Sequence, residues 1–298
     1  MKDLSEKWQA GNFLEFPLPP TLLEHAEAYL ADPDFVPAQP NSAATVMLMR
    51  NKPEIPTPYS LPTSEGKLEV FMLQRASTMA FMPNAVVFPG GRVDERDSDP
   101  RLPWAGPLPH EWARRMDVSE ELARCIVVAA AREVFEECGV LLAGKDDHQV
   151  IDNLDDPSWA VERDLLAKHT KSFSELLLEQ NLVLRSDLLG LRSHWLTPEF
   201  EPRRFDTFFF AALLPEGQVP DGHSSEAVIA DWVDPSWLFK QSEEGKSLLL
   251  APTRYNLEFL AAAKSAEAFV KEETKSGRIM LEPYRKDDET IVFRCLLP

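Results

Sequence analysis

Glu133, Glu136 and Glu137 stand at positions i, i+3 and i+4 of the segment Ala129–Leu142, AAAREVFEECGVLL. On a helix this spacing places all three carboxylates within roughly 100° of one another, on one face. Like charges so arranged repel by about 0.2–0.5 kcal/mol per pair, and the neighbouring Arg132 cannot neutralise all of them. A hard divalent cation can. Mg2+ takes oxygen ligands, is readily shared between carboxylates and phosphates, and activates water. The chemistry such a face suits is therefore that of a divalent cation shared with a phosphorylated substrate; the plain alternative is a solvated acidic surface. Val127, Ala131, Val134, Phe135 and Cys138 project to the other side, which would anchor the helix in a core.

The elements that must position this face are legible from pattern and punctuation. A helix is expected from about Ser119 to Cys138, with Gly139 as its C-terminal cap. Ala43–Arg50 and Leu68–Arg75 read as strands joined by a long proline-bearing loop. Ala85–Phe88 is a third strand that runs into Pro89, Gly90 and Gly91, where the chain must turn sharply. Downstream, Asp156–Gln180 has helical periodicity, Phe205–Leu214 and Ala227–Val233 read as strands, and Tyr255–Lys271 reads as an amphipathic helix. Thr290–Leu297 adds a final strand. Residues 1–40, rich in proline, read as an N-terminal arm holding one helix, Thr21–Ala31, with Thr21 as its cap.

Composition narrows the function classes. The 298 residues carry 49 acids against 31 Lys and Arg, a formal charge of −18. Such a field repels polyanions, so nucleic acid is excluded as a main partner, and a small phosphorylated substrate needs bound cations or a local arginine cluster. No apolar block is long enough to span a membrane, and neither end of the sequence carries an address signal, so the expected location is cytoplasmic. Cys125, Cys138 and Cys295 lack metal-type spacing and read as reduced, structural thiols.

The string Arg132-Glu-Val-Phe-Glu-Glu-Cys-Gly-Val140 matches, position for position, the second half of the Nudix signature, and Phe88-Pro-Gly-Gly91 resembles the strand-to-loop entry into its first half. The stretch from Gly91 to Arg132 is much longer than in the usual signature, so the box is split. Counting forward from Gly91 puts Asp97 at the signature's first glutamate, whereas counting back from Arg132 puts Arg124 there, and the position stays unassigned. A split box resembles the branch of the family that includes the peroxisomal coenzyme A diphosphatases of animals. Gln74-Arg75, Phe81-Met-Pro83, Trp195-Leu-Thr-Pro198 and Arg203-Arg-Phe-Asp-Thr207 carry the likeness along residues 41–240.

The resemblance implies an α/β/α sandwich around a mixed sheet in a domain spanning 41–240, with helical insertions near 98–124 and 155–185. Residues 241–298 would form a helical extension packed on the same domain. It implies Mg2+ or Mn2+ held by Glu136 and Glu137, with Glu133 a further ligand or water-positioning base and Arg132 orienting the carboxylates. Gly90 and Gly91 would let the backbone approach metal and phosphate, and Arg75 would stand on the substrate side. The implied reaction is cleavage of the diphosphate in a small nucleoside diphosphate derivative, with coenzyme A or acyl-coenzyme A first. ADP-ribose or NADH is the alternative, and a catalytically silent nucleotide sensor is another.

Secondary candidates keep two readings each. Arg203 and Arg204 either reach a phosphate from the rim of a cleft or form a plain surface pair. Glu226 is either a general base or extra ligand presented by a loop, or an ordinary loop acid. His223 reads as solvated, and Trp195 and Trp232 read as core rather than as a stack for adenine. The two insertions suit either a lid or a homodimer contact.

Overall fold

Strict alternation along the apolar strands sets the architecture. In Asn41–Asn51, Ala44, Val46 and Leu48 enter one core while Met47 and Met49 enter another. In Leu68–Arg75, Phe71 and Leu73 face the first core, and Val70 and Met72 the second. Phe208, Phe210 and Ala212 oppose Phe209 and Ala211 in the same way in Phe205–Leu213. A sheet buried on both faces must be covered on both faces, and that is the α/β/α arrangement.

The computed structural model describes residues 13–53, 67–75, 85–222, 227–272 and 277–296. In chain order these form β1 (Phe13–Pro17), α1 (Leu23–Ala31), β2 (Asn41–Asn51), β3 (Leu68–Arg75), β4 (Val86–Val87), β5 (Gly90–Arg92), β6 (Trp104–Ala105), α2 (Pro109–Met116), α3 (Glu120–Cys138) and β7 (Ala143–Gly144). There follow α4 (Pro157–Ala167), α5 (Phe173–Glu179), β8 (Val183–Arg185), β9 (Leu189–Leu196), β10 (Phe205–Leu213), β11 (Ala227–Val233), α6 (Pro235–Glu243), α7 (Ala251–Ala262), α8 (Ala266–Lys271), β12 (Arg278–Met280), β13 (Glu282–Arg285) and β14 (Ile291–Leu296).

The main sheet runs β11-β3-β2-β10-β9-β12, with β4 on β3 and β5 on β2. It is mixed, since β2 runs parallel to β10 and β12 parallel to β9 while the other pairs are antiparallel. The helix α3 covers the first face through Ile126, Val127, Ala130 and Val134, together with Trp112 from α2 and Phe173 and Leu176 from α5. The second face is covered by Tyr29 and Leu30 of α1, Leu257 and Leu260 of α7, and Phe269 of α8. The two insertions are tied together where β8 pairs with β6; β8 also pairs with β7, and within the second insertion Lys171 bridges Glu162 and Glu179.

The long helix begins and ends where the sequence reading put it. Ser119 Oγ accepts from the Leu122 amide at 3.2 Å, and Gly139 closes the helix in the left-handed region at φ 67°, donating to Phe135 O.

Three expectations are corrected. Thr21 does not cap α1. A short 3-10 turn, Pro20–Leu22, precedes it, the residue at the helix cap is Leu22, and no side chain there accepts a hydrogen bond. The helical pattern of 255–271 is broken at Ala263, where the backbone turns extended before Ser265 caps α8. The segment after residue 240 is only half helical: β12 joins the main sheet, and β14 lies between β13 and β1. The proline-rich arm is thereby stitched into the second core. Among the described residues, no helix is long and apolar enough to cross a membrane.

Candidate active site

The strand β5 lies along β2, with Gly90 opposite Thr45 and Gly91 opposite Ala44, and this pairing carries the glycine turn across the face of α3. The Gly90 amide donates to Glu137 Oε2 at 2.7 Å. A β-carbon on Gly91 would stand 2.5 Å from Glu133 Oε1, so any larger residue makes the Glu133 carboxylate move. The missing side chain lets the loop lie against the Glu133 carboxylate where it now stands. Gly91→Ala is therefore expected to displace the Glu133 carboxylate and lower kcat/KM by about 100-fold, the usual result of a misplacement near 1 Å. Circular dichroism should still show a folded protein, and unimpaired turnover would remove Gly91 from the site.

Arg132 organises the acids beneath the turn. Its guanidinium donates to Asp97 at 3.0 and 3.1 Å, to Glu133 at 2.7 Å, to Glu136 at 3.3 Å and to the Arg92 carbonyl at 2.8 Å. Asp97 is 2% exposed and belongs to a turn in which it and Asp94 cap one another's backbone amides. Burial raises the pKa of Glu133 to about 7, with Arg132 pulling it down and Glu136 adding to the rise. Burial also raises Glu136 and Asp97, opposed in both by Arg132. Arg163 of α4 supports the helix end, giving its Nε to the Glu136 carbonyl at 2.7 Å and pairing with Asp221.

The donor set is hard oxygen, in excess of local cationic charge and partly withdrawn from water, which fits a divalent ion of the magnesium type. Among the described residues, no three carboxylates close into a ready-made cage. The reason is visible, since Glu133 and Glu136 both lean on Arg132. Such ions commonly take one or two protein carboxylates and complete their shell with water and phosphate.

The family model describing the NUDT19 Nudix domain matches residues 110–260. The chain belongs to the Nudix family. It is a pyrophosphohydrolase by family, and it is 29% identical over 259 residues to the human acyl-coenzyme A diphosphatase NUDT19, spanning 74% of this chain and 68% of the human one. A Nudix hydrolase structure from Alicyclobacillus acidocaldarius superposes with a TM-score of 0.65 at 25% identity, covering 80% of this chain and 99% of that one.

Within this Nudix hydrolase the expected residues separate. Gly90, Gly91, Arg132, Glu133, Glu136 and Glu137 come together as described. Arg204 does not join them; it is 6% exposed and spends its guanidinium on the carbonyls of Thr197 and Ala38. Its role is to hold the chain between β9 and β10, which corrects the expectation of a substrate contact. Arg203 is exposed. Arg75 ends β3 opposite Ala227, and its side chain lies outside the described residues, as do His223, Glu226 and Phe81-Met-Pro83. Trp232 is core, edge-on to Phe71 and beneath Arg50. Trp195 is 3% exposed yet lines a cavity.

Sequence reasoning left Asp97 unassigned and did not single out Arg163. The signal for Asp97 was present, six positions after Gly91. What decides between the two ways of counting is that Arg124 turns away, its guanidinium 5.4 Å over the Trp104 ring, while Asp97 takes both arms of Arg132.

Proposed function

We propose that this Nudix hydrolase cleaves the diphosphate of coenzyme A or an acyl-coenzyme A, using Mg2+ or Mn2+ held by Glu133, Glu136 and Glu137. The observation that carries the reading is the meeting of the glycine turn with the acidic helix: Gly90 on Glu137 and Gly91 against Glu133. The likeness to an acyl-coenzyme A diphosphatase over most of the chain supports the choice of substrate.

The roles follow from the contacts. Gly90 and Gly91 leave room for a diphosphate to approach the backbone. Glu136 and Glu137 present charge to the cation side, and Glu133 orients the attacking water. Arg132 and Asp97 fix the rotamers of these carboxylates, so the site needs little rearrangement as charge builds on the phosphoryl oxygens. When bound, the divalent ion neutralises those oxygens and lowers the pKa of water. Water adds to one phosphorus, the bridging P–O bond breaks, and the two halves leave as adenosine 3′,5′-diphosphate and a phosphopantetheine.

Two measurements test this. A panel of coenzyme A, octanoyl-coenzyme A, ADP-ribose, NADH and dinucleoside polyphosphates, with products identified by mass, should show the coenzyme A compounds turned over with the highest kcat/KM. Preference for ADP-ribose or NADH would replace the substrate, and tight binding without turnover would make the protein a sensor. Dialysis against a chelator should abolish turnover, and added Mg2+ or Mn2+ should restore it. Full activity in the chelated protein would remove the metal from the reading.

A further inference from the structure

A cavity of about 940 Å3 lies on the second face of the sheet, between the β-strands, β1 and the segment 242–258, with Gly90 and Glu137 among its lining residues. It is near the upper end of the roughly 300–1,000 Å3 range of small-molecule sites. Its walls are largely apolar, built by Phe16, Leu22, Trp195, Phe209, Leu249 and Phe293. Its ionisable lining consists of Glu15, Glu137, Glu201, Glu258 and Arg254; Glu15 is paired with Lys286 and Arg294, and Arg254 stands 3.6 Å from Glu258. Away from the cation site, the lining's one cation among the described residues is already paired and the walls are apolar, which suits a neutral, apolar group better than a further phosphate.

One polar group breaks the apolar wall. Glu201 is 7% exposed, and among the described residues its carboxylate accepts no hydrogen bond and makes no ion pair. Burial raises its pKa, with His25 pulling the other way. Glu201 lines the cavity, where a ligand N–H or O–H can take the place of water on its carboxylate. The lining therefore asks for a long apolar ligand interrupted by a hydrogen-bond donor, attached at one end to a diphosphate.

We propose that this cavity receives the acylated, amide-bearing arm of the substrate, with Glu201 bonded to an N–H or O–H of that arm and Leu249 in contact with the acyl chain. The inference rests on Glu133, Glu136 and Glu137 being the hydrolytic centre. It adds that the chain selects its substrate by the arm beyond the diphosphate, through β1 and the segment 242–258.

Steady-state kinetics with Mn2+ on coenzyme A and octanoyl-coenzyme A test it. In the unaltered protein KM for octanoyl-coenzyme A should be at least about tenfold lower than for coenzyme A, as burial of several methylenes requires. Leu249→Trp should erase that difference by raising the octanoyl-coenzyme A KM, with kcat within about twofold. Glu201→Leu should raise KM for both compounds about tenfold, and Glu201→Gln, which keeps an acceptor oxygen, should recover most of the loss. Should Leu249→Trp fail to fold, Ser247→Trp fills the same cavity from a loop. KM values indifferent to the acyl chain, or unmoved by the Leu249 and Glu201 substitutions, overturn the proposal while leaving the hydrolytic centre intact. If the unaltered protein turns over no substrate, the hydrolytic reading fails, and calorimetric titration with S-octanoyl-4′-phosphopantetheine decides the cavity. Binding that Leu249→Trp removes supports it, and no binding overturns it.

Discussion

Glu136→Gln should lower kcat/KM by about three orders of magnitude, the equivalent of about 4 kcal/mol of lost transition-state stabilisation, without unfolding the protein. Glutamine has the same shape and can still accept from Arg132, which lies 3.3 Å from Glu136 Oε1. What disappears is the negative charge at a position that is 13% exposed and whose charge raises the pKa of Glu133. Because burial raises the Glu136 pKa, the ionised form is a strain on the folded state that grows as pH rises above the ordinary carboxylate range. The variant should therefore melt no lower than the unaltered protein at pH 8. Saturating Mn2+ kinetics beside a thermal melt provide the check, and activity within tenfold of the unaltered protein would take Glu136 out of the reaction.

Arg132→Met should destabilise the protein by about 3–5 kcal/mol, the usual cost of stripping the partner from buried charges. The side chain of Arg132 is 7% exposed, and its removal abandons Asp97, Glu133 and Glu136 at once, together with the Arg92 carbonyl. Methionine fills much of the volume but offers no donor. The carboxylates it leaves behind then have folded-state pKa values above their unfolded ones, so the deficit is small where they are protonated and widens as pH climbs toward neutrality. Urea denaturation at pH 5 and pH 8 measures both the loss and its direction. Equal deficits at the two pH values would mean that packing, not charge, accounts for the residue. Arg132→Lys should recover only part of the stability, since one ammonium cannot reach every acceptor the guanidinium fork reaches.

Much of this was readable before any coordinates. The apolar strands, the start of the long helix near Ser119 and the Gly139 terminator are local signals, decided by neighbours in sequence, and they reappear within a residue or two. The acidic face was readable because helical spacing alone brings Glu133, Glu136 and Glu137 together. β9 was not. Its sequence, LGLRSHWL, carries Arg192, Ser193 and His194 at buried positions, so neither alternation nor an apolar run marks it as a strand. Those side chains are tolerated because Arg192 bonds to the carbonyls of Phe269 and Glu272, Ser193 to Asn256, and His194 to Asp206. Arg204 misled for the related reason that an arginine before a strand looks like a surface charge until the carbonyls it serves, far off in sequence, are in place. The choice of Asp97 over Arg124, and the cavity, depend on segments distant along the chain. Only the fold says that residue 97 meets residue 132, or that Phe16 and Phe293 share a wall.

The placement of β14 between β1 and β13 sets an order of assembly on the ribosome. Synthesis delivers the glycine turn and the acidic helix first, and that half of the molecule can pack against the sheet while the remainder is still emerging. β14 is made long after β1, and until it docks Leu14 and Phe16 have no strand to lie against. A nascent chain would thus carry the acidic helix before β1 is seated on β14.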